Sequence, residues 1–261
     1  PNRVIDENGK SVATQMEELS QLKADKTDLN NLNDKVGELE EKIEDLSGGN
    51  FGEGGKEYGV RFYKNSSNSA GERLGDAVGL TARVGTGSEE VFNEFDEIYP
   101  WSHRRVCNLS EDGEVLAYEG EPTFKRDGSN GDVMVETPIF YQKYVETDEY
   151  VEYWISDTLL KGYRVSPRFL RANGTILNTI YTGAYKAGLV DNKLVSRSGI
   201  FPKVEAGRHT FRNWAKAKNN KWGLVDIAYR CDVLNYLFYI EFATRNSQAI
   251  MQGLTTFAWD Y

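Results

Sequence analysis

Residues 133–145 have the sequence Val-Met-Val-Glu-Thr-Pro-Ile-Phe-Tyr-Gln-Lys-Tyr-Val, and residues 150–156 have the sequence Tyr-Val-Glu-Tyr-Trp-Ile-Ser. Both stretches are rich in β-branched and aromatic residues, which favour strands. A polar segment, residues 147–149, lies between them, so the pair predicts a β-hairpin. Pro138 cannot donate to a strand ladder and predicts a bulge or a sheet edge at its position.

The chain after this hairpin predicts an α+β fold. A further strand fits residues 175–185, and Asp226 is a good N-cap for a helix that begins at Ile227. The residues spaced to form one mainly apolar face of this helix are Ile227, Cys231, Leu234, Leu237, Phe238 and Glu241. Strands that precede a single long helix are typical of α+β rather than parallel α/β proteins.

Composition divides the chain into two parts. Residues 1–50 contain no Phe, Tyr or Trp, so all 32 aromatic residues lie in residues 51–261, which we call the head. The first part has a net charge of −6 and the head a net charge of −3. The organisation we predict is a stalk at 1–47, a Gly-rich joint at 48–56, a turn-rich segment at 57–125 and the α+β domain at 126–261.

The stalk has the heptad pattern of a parallel coiled coil. Apolar residues alternate at spacings of three and four, and the predicted oligomerisation seam is Leu22, Leu29, Leu32, Val36, Leu39, Ile43 and Leu46. Asp25 interrupts this seam near its start. The heptad pattern is compatible with a coiled coil of two or three helices. The alternative to a coiled coil is an amphipathic helix that folds back on the head. Because the stalk is short, we expect the heads to contribute to the oligomer interface.

The charge of the chain excludes several classes of partner. The net charge is −9 and the isoelectric point is near 5.0. Binding to nucleic acid or to an anionic membrane needs a surplus of Lys and Arg, so we expect neither. No apolar run approaches the ~20 residues that cross a bilayer, and we therefore expect no membrane insertion.

We predict no catalytic residue, no cofactor and no metal site. The two histidines, His103 and His209, are each alone in the sequence. A polysaccharide hydrolase, the enzymatic alternative, would need a pair of carboxylates, for which Glu136, Asp226 and Glu241 are candidates. Capping explains Asp226, and a buried hydrogen bond to a neighbouring arginine such as Arg245 would explain Glu241.

Two further patterns have ordinary structural explanations. The segment Asp-Gly-Ser-Asn-Gly-Asp at 127–132 resembles a calcium loop, but it lacks the bidentate Glu, and turn formation explains it as well. Cys107 and Cys231 form neither a metal motif nor a disulfide framework. We expect both thiols to be reduced and buried.

Aromatic side chains outside the long helix and the first hairpin are the candidates for a binding site. Aromatic rings give large contact areas at low entropic cost and stack on sugar rings. The candidate receptor-binding residues are Tyr181, Tyr185, Trp214, Trp222, Trp259 and Tyr261.

Two separated segments of the head resemble tail-fibre and tail-tip proteins of phages and prophages of Gram-positive bacteria. The first is residues 127–143, where a Gly-rich turn leads into the Val-Met-Val-Glu strand. The second is residues 236–248, Tyr-Leu-Phe-Tyr-Ile-Glu-Phe-Ala-Thr-Arg-Asn-Ser-Gln. The run Lys-Ala-Asp-Lys-Thr-Asp-Leu at 23–29 is typical of trimeric fibre stalks. The two matches in the head stand in the same order as in those proteins and extend the resemblance over residues 125–255.

The resemblance implies a C-type-lectin-like fold for the head and a homotrimer. It also implies a non-enzymatic virion protein of the phage tail, made in the host cytoplasm. Its partners would be other virion tail proteins and a bacterial surface glycan or protein. The alternative is a purely structural fibre or baseplate connector. The sequence lacks the calcium motifs of sugar-binding C-type lectins, and Cys107 and Cys231 do not match the catalytic cysteine pair of formylglycine-generating enzymes, so neither activity is expected.

Overall fold

The computed structural model describes residues 54–84 and 92–250. The predicted stalk with its leucine seam, and the candidate residues Trp259 and Tyr261, lie outside these ranges. The described part is mixed α/β, mostly sheet with few helices.

Thirteen short strands occur within the described residues. They are β1 (Glu57–Tyr63), β2 (Glu72–Gly75), β3 (Ala82–Arg83), β4 (Phe92–Asn93), β5 (Val106–Leu109), β6 (Val115–Tyr118), β7 (Asp132–Pro138), β8 (Tyr141–Glu146), β9 (Tyr150–Ser156), β10 (Arg164–Val165), β11 (Thr179–Gly183), β12 (Gly188–Val190) and β13 (Lys193–Val195).

The helices of the described residues come late in the chain, apart from single 3₁₀ turns. The helix α1 spans Arg208–Lys216, and α2 spans Asn235–Phe242 and continues directly from a π-helical segment, Tyr229–Leu234. The 3₁₀ turns are Glu94–Glu97, Trp101–His103, Pro167–Phe169 and Ser247–Ala249.

Two antiparallel sheets form most of the structure. The first has the strand order β10-β8-β9-β1-β2, and the second has the order β11-β7-β5-β6. Strands from the turn-rich segment 57–125 pair with strands from 126–250 in both sheets, β1 with β9 and β5 with β7. The two segments therefore share their sheets.

The predicted hairpin is confirmed for β8 and β9, which pair from Tyr141 opposite Ser156 to Glu146 opposite Val151. The stretch before it is not one continuous strand. Pro138 is the last residue of β7, an interior strand of the second sheet, and the chain then crosses to the first sheet. Pro138 thus marks a change of sheet instead of the expected bulge or edge, because a proline can close a strand without donating to its ladder.

The main core lies between the first sheet and α2. Alternate residues of β1, Tyr58, Val60 and Phe62, are buried on the face that α2 covers. Gly59 lies on the opposite face, where a Cβ atom would come within 2.5 Å of the Trp154 ring. This close approach requires glycine in the middle of an otherwise typical strand.

The helix begins where the sequence predicts it, but its buried face differs. The backbone N–H of Tyr229 donates to Asp226 Oδ1 at 2.9 Å, which confirms the cap. Ile227 and Cys231 are exposed, so the predicted face is wrong at its start. The buried face comprises Tyr229, Val233, Tyr236, Leu237 and Ile240. The π-helical segment Tyr229–Leu234 has a wider spacing between side chains that share a face than an α-helix has. A sequence pattern with a uniform period of 3.6 residues therefore does not predict this face.

Candidate functional site

A cleft of about 440 Å³ lies along β11 and is the best candidate for a binding site. We call it the β11 cleft. Its lining is formed by Leu109, Asp112, Gly113, Met134, Arg168, Arg171, Leu177, the five residues of β11, and residues 220–225. Ligand sites in proteins have volumes of about 300–1,000 Å³, so the cleft is large enough for a small ligand or a short segment of chain.

The segment of residues 219–226, which we call the strap, contributes much of the lining. The turn between β5 and β6 holds its first half. Trp222 Nε1 donates to the Glu111 carbonyl at 2.7 Å, and Lys221 Nζ donates to the Asp112 carbonyl at 3.1 Å. Because side chains of the strap bond to backbone oxygens, the strap keeps its place without regular secondary structure of its own.

Trp222 is half-buried and packs on a small apolar cluster that contains Leu109 and Met134. The ammonium of Lys218 lies 3.8 Å from the centre of the Trp222 ring. Lys218 is itself buried in an ion pair with Asp132, and burial lowers its pKa while Asp132 opposes this change. A cation over one face and a hydrogen bond at its edge fix the orientation of the indole.

Tyr181 stands on β11 and is held by a buried carboxylate. Its hydroxyl donates to Glu136 Oε1 at 3.2 Å, as does the hydroxyl of Tyr118 at 3.3 Å. Arg105 donates to the other oxygen, Oε2, at 3.1 Å from Nε and 2.8 Å from Nη2. Burial and then the Glu136 charge raise the pKa of Tyr181, so its hydroxyl stays a donor at neutral pH.

Basic side chains give the lining of the cleft a positive balance. Arg168, Arg171 and Lys221 line it, against the single acidic residue Asp112. Arg168 Nη1 reaches Asp226 Oδ2 at 3.4 Å, a long contact for an ion pair. The chain as a whole is acidic, so this cluster differs from the average surface.

Of the six aromatic candidates, the structure brings Tyr181 and Trp222 together in the β11 cleft. Tyr185 is half-buried elsewhere, and its hydroxyl accepts from Arg126 Nη1 at 3.2 Å. Trp214 lies on α1 and packs edge-on against Phe211. A wider and more open depression beside Arg126 has a volume of about 540 Å³, but none of the aromatic candidates lines it.

The carboxylates considered for hydrolysis have separate partners. Glu136 is bound by Arg105 and two tyrosines, and Asp226 caps the helix. The side chain of Glu241 accepts from Asn93 Nδ2 at 2.8 Å, so the expected bond with a neighbouring arginine such as Arg245 is wrong. The guanidinium of Arg245 lies over the Phe62 ring instead, at 4.6 Å. Burial raises the pKa of Glu241, and the Asn93 bond opposes this shift.

The thiols differ from each other. Cys107 is buried in the apolar cluster that contains Leu109 and Met134, whereas Cys231 is exposed, contrary to the expectation that both are buried. Between residues 54 and 250, leaving out 85–91, no group of three or more His, Cys, Asp or Glu side chains is placed to hold a metal ion. In the same part of the chain no helix is long and apolar enough to span a bilayer.

Sequence reasoning missed the three cations of the cleft. Arg168 and Arg171 are about fifty residues from Lys221 in the sequence, and the structure brings them together. The available signal was the pair of arginines at positions 168 and 171, shortly before β11. Its relevance depends on where the strap lies, which no local pattern indicates.

In comparisons with protein-family models, curated proteins and solved structures, nothing matches this chain significantly.

Proposed function

We propose that the chain is a non-enzymatic attachment protein of a phage tail, whose head recognises a receptor on the bacterial surface. The β11 cleft, where Tyr181 and Trp222 meet three basic side chains, is the single observation that supports this function most. Aromatic faces beside a few polar groups are the usual composition of a recognition site. The resemblance of residues 127–143 and 236–248 to phage tail proteins supports the same proposal.

Multivalent attachment fits this function. The heptad pattern of the stalk predicts an oligomer, and a homotrimer would present three heads on one stalk. A second binding event in such an assembly occurs at high effective concentration, so a weak individual site suffices for firm attachment. The C-type-lectin-like scaffold and the location in the virion tail are parts of the same proposal.

Binding of the full chain to whole cells tests this function. Fluorescently labelled protein is titrated onto a panel of Gram-positive bacteria, with purified cell-wall glycan or protease treatment of the cells as competing conditions. We expect saturable binding to at least one strain. Absence of binding to every strain, with binding to other virion tail proteins instead, would favour the connector. Release of reducing ends from the glycan would favour a hydrolase.

A pair of matched variants places the site. Trp222→Ala removes the ring from the cleft, and we expect the affinity for cells to fall by about tenfold or more, as for a central aromatic contact residue. Trp214→Ala removes a half-buried indole outside the cleft and should leave binding unchanged. Thermal unfolding of both variants shows whether the head still folds. Equal cell binding by the two folded variants would contradict the proposed site.

A further inference from the structure

The strand β11 is an edge strand of the second sheet, and its outer edge faces the cleft. Only β7 pairs with it within the described residues. The pairing places Ile180 opposite Thr137 and Thr182 opposite Val135. The backbone bonds from Ile139 N to Asn178 O and from Ala184 N to Val133 O continue the same ladder. Even-numbered residues of this segment therefore exchange hydrogen bonds with β7.

In an antiparallel pair, the alternate residues direct their N–H and C=O groups away from the partner strand. These residues are Thr179, Tyr181 and Gly183. The backbone of Leu177, two residues earlier, has the same outward direction, and its N–H donates to the Phe169 carbonyl at 2.8 Å. Beyond that bond, no backbone partner of the three outward residues is found among residues 54–84 and 92–250. An unpaired edge of this kind is a template for another strand.

The cations beside this edge also have unused donors. Arg168 Nε is buried and has no hydrogen-bond partner in the part of the chain that the structure describes. Within those residues the Arg171 side chain makes no ion pair, and Lys221 bonds a backbone carbonyl. A carboxylate at the mouth of the cleft would be attracted to all three.

Apolar side chains flank the same edge. Val225 lines the cleft and is 59% exposed, and Ile227 beside it is 74% exposed. Leu170 and Ile176 are paired with each other by a β-bridge next to Arg171 and are nearly half exposed. In a strand that alternates acidic and apolar residues, the acidic side chains would face the cations and the apolar side chains would face these flanking apolar residues.

From these observations we propose that the β11 cleft takes an extended acidic peptide segment of a receptor protein, which adds to the sheet as a strand against β11. This inference rests on the proposed function and specifies the chemistry of the receptor at the same site. Five residues of β11 offer an edge of about 17 Å, enough for a segment of five or six residues. The added backbone bonds give affinity, and the cations select the acidic sequence.

The outer backbone edge of β11, which has no partner strand in the described part of the chain, favours a peptide over an anionic saccharide. A saccharide could satisfy the three cations, but its hydroxyls do not have the regular spacing of donors and acceptors that a strand edge offers. Peptide binding by strand addition uses both features of the cleft. Binding of an acidic saccharide is therefore the competing outcome that the experiment has to detect.

The probe is a fluorescein-labelled peptide of eight residues in which glutamate and valine alternate, titrated with the full chain and followed by fluorescence anisotropy. One control peptide has lysine for each glutamate. A second has the original sequence but is N-methylated at its internal residues, so it keeps the charge and cannot pair with a strand. We expect saturable binding of the first peptide, and binding weaker by about tenfold or more for both controls.

Variants of the protein test the two features separately. Arg171→Glu should remove most of the preference for glutamate over lysine, whereas Arg212→Glu on the exposed face of α1 should not change it. Thr179→Pro removes one outward N–H from β11 and leaves its bonds to β7 intact. We expect this variant to bind the acidic peptide about tenfold more weakly. Should Thr179→Pro fail to fold, the N-methylated peptide still tests strand pairing.

Three results would overturn the inference. The first is equal binding of the methylated and unmethylated peptides, and the second is no saturable binding of the acidic peptide. The third is binding of an oligogalacturonate probe where the peptide fails, which would assign the cleft to an anionic saccharide. In each case the cell-binding loss of Trp222→Ala would still support the proposed function. If Trp222→Ala binds cells normally, the proposed site itself fails.

Discussion

At the scale of single residues, environment distinguishes side chains that are chemically identical. Cys107 has no exposed surface, and burial raises the pKa of its thiol to about 12, with the Glu136 carboxylate adding to the shift. Cys231 lies on the surface of the π-helical segment. The two half-buried indoles also differ in their contacts: Lys218 and the Glu111 carbonyl fix Trp222, whereas Trp214 packs on Phe211 of its own helix.

The thiols provide a direct test at this scale. In native protein at pH 8, we expect one thiol per chain to react with a chromogenic disulfide reagent, namely Cys231. Cys107 stays protonated at this pH because its pKa is raised well above 8, and burial also blocks the reagent. Unfolding in guanidinium should release the second thiol. A Cys231→Ser variant that still reacts rapidly in its native state would contradict the burial of Cys107.

At the scale of elements, the sequence predicts those with a regular local pattern. The β8–β9 hairpin and the helix start at Asp226 follow from residue type and spacing, and the structure confirms both. In β1 the residues Tyr58, Val60 and Phe62 are buried, but Gly59 between them is buried too and interrupts the alternation; the close approach of the Trp154 ring explains that glycine. A sequence pattern with a period of 3.6 residues does not reveal the π-helical segment.

The candidate site can be predicted in part. Tyr181 and Trp222 are predictable from residue type, whereas the cations beside them come together only in the tertiary structure.

The position of the buried helix face can be tested with one substitution at two sites. Ile240→Ala leaves a cavity in the main core, and we expect it to lower the free energy of unfolding by about 2–5 kcal/mol. Ile227→Ala, at a residue that is 74% exposed, should change it by no more than about 0.5 kcal/mol. Urea unfolding of the two variants measures the difference. A larger loss of unfolding free energy for Ile227→Ala than for Ile240→Ala would contradict the observed buried face and support the one predicted from a uniform period of 3.6 residues.

At the scale of the whole molecule, we propose two parts with different functions. The stalk would set the number of copies, and the head would carry the binding site. The head is held together by strands that are distant in sequence, β1 with β9 and β5 with β7, so it folds as a unit that spans the predicted segment boundary. The strap is hydrogen-bonded to the turn between β5 and β6, ends at Asp226, which caps the helix, and borders the cleft.

The stalk prediction is tested by charge substitutions in the seam. Leu32→Asp or Leu39→Asp places a carboxylate at a d position, and we expect the oligomer to shift toward monomer because a buried charge without a partner is costly. Asn31→Asp adds the same charge at an outward c position and should leave the oligomer unchanged. Sedimentation measures the mass of each variant. An unchanged mass for the seam variants would show that the heads alone hold the assembly.

The most direct test of the central claim is amide hydrogen exchange of the full chain, with and without cell envelopes, surface proteins included, from a bacterium that it binds. If the β11 cleft contacts the receptor, exchange should slow in the peptides that cover Thr179–Gly183 and the strap, and should stay unchanged in those that cover α1. Slower exchange confined to α1 or to the depression beside Arg126, with no change along β11 or the strap, would contradict the account.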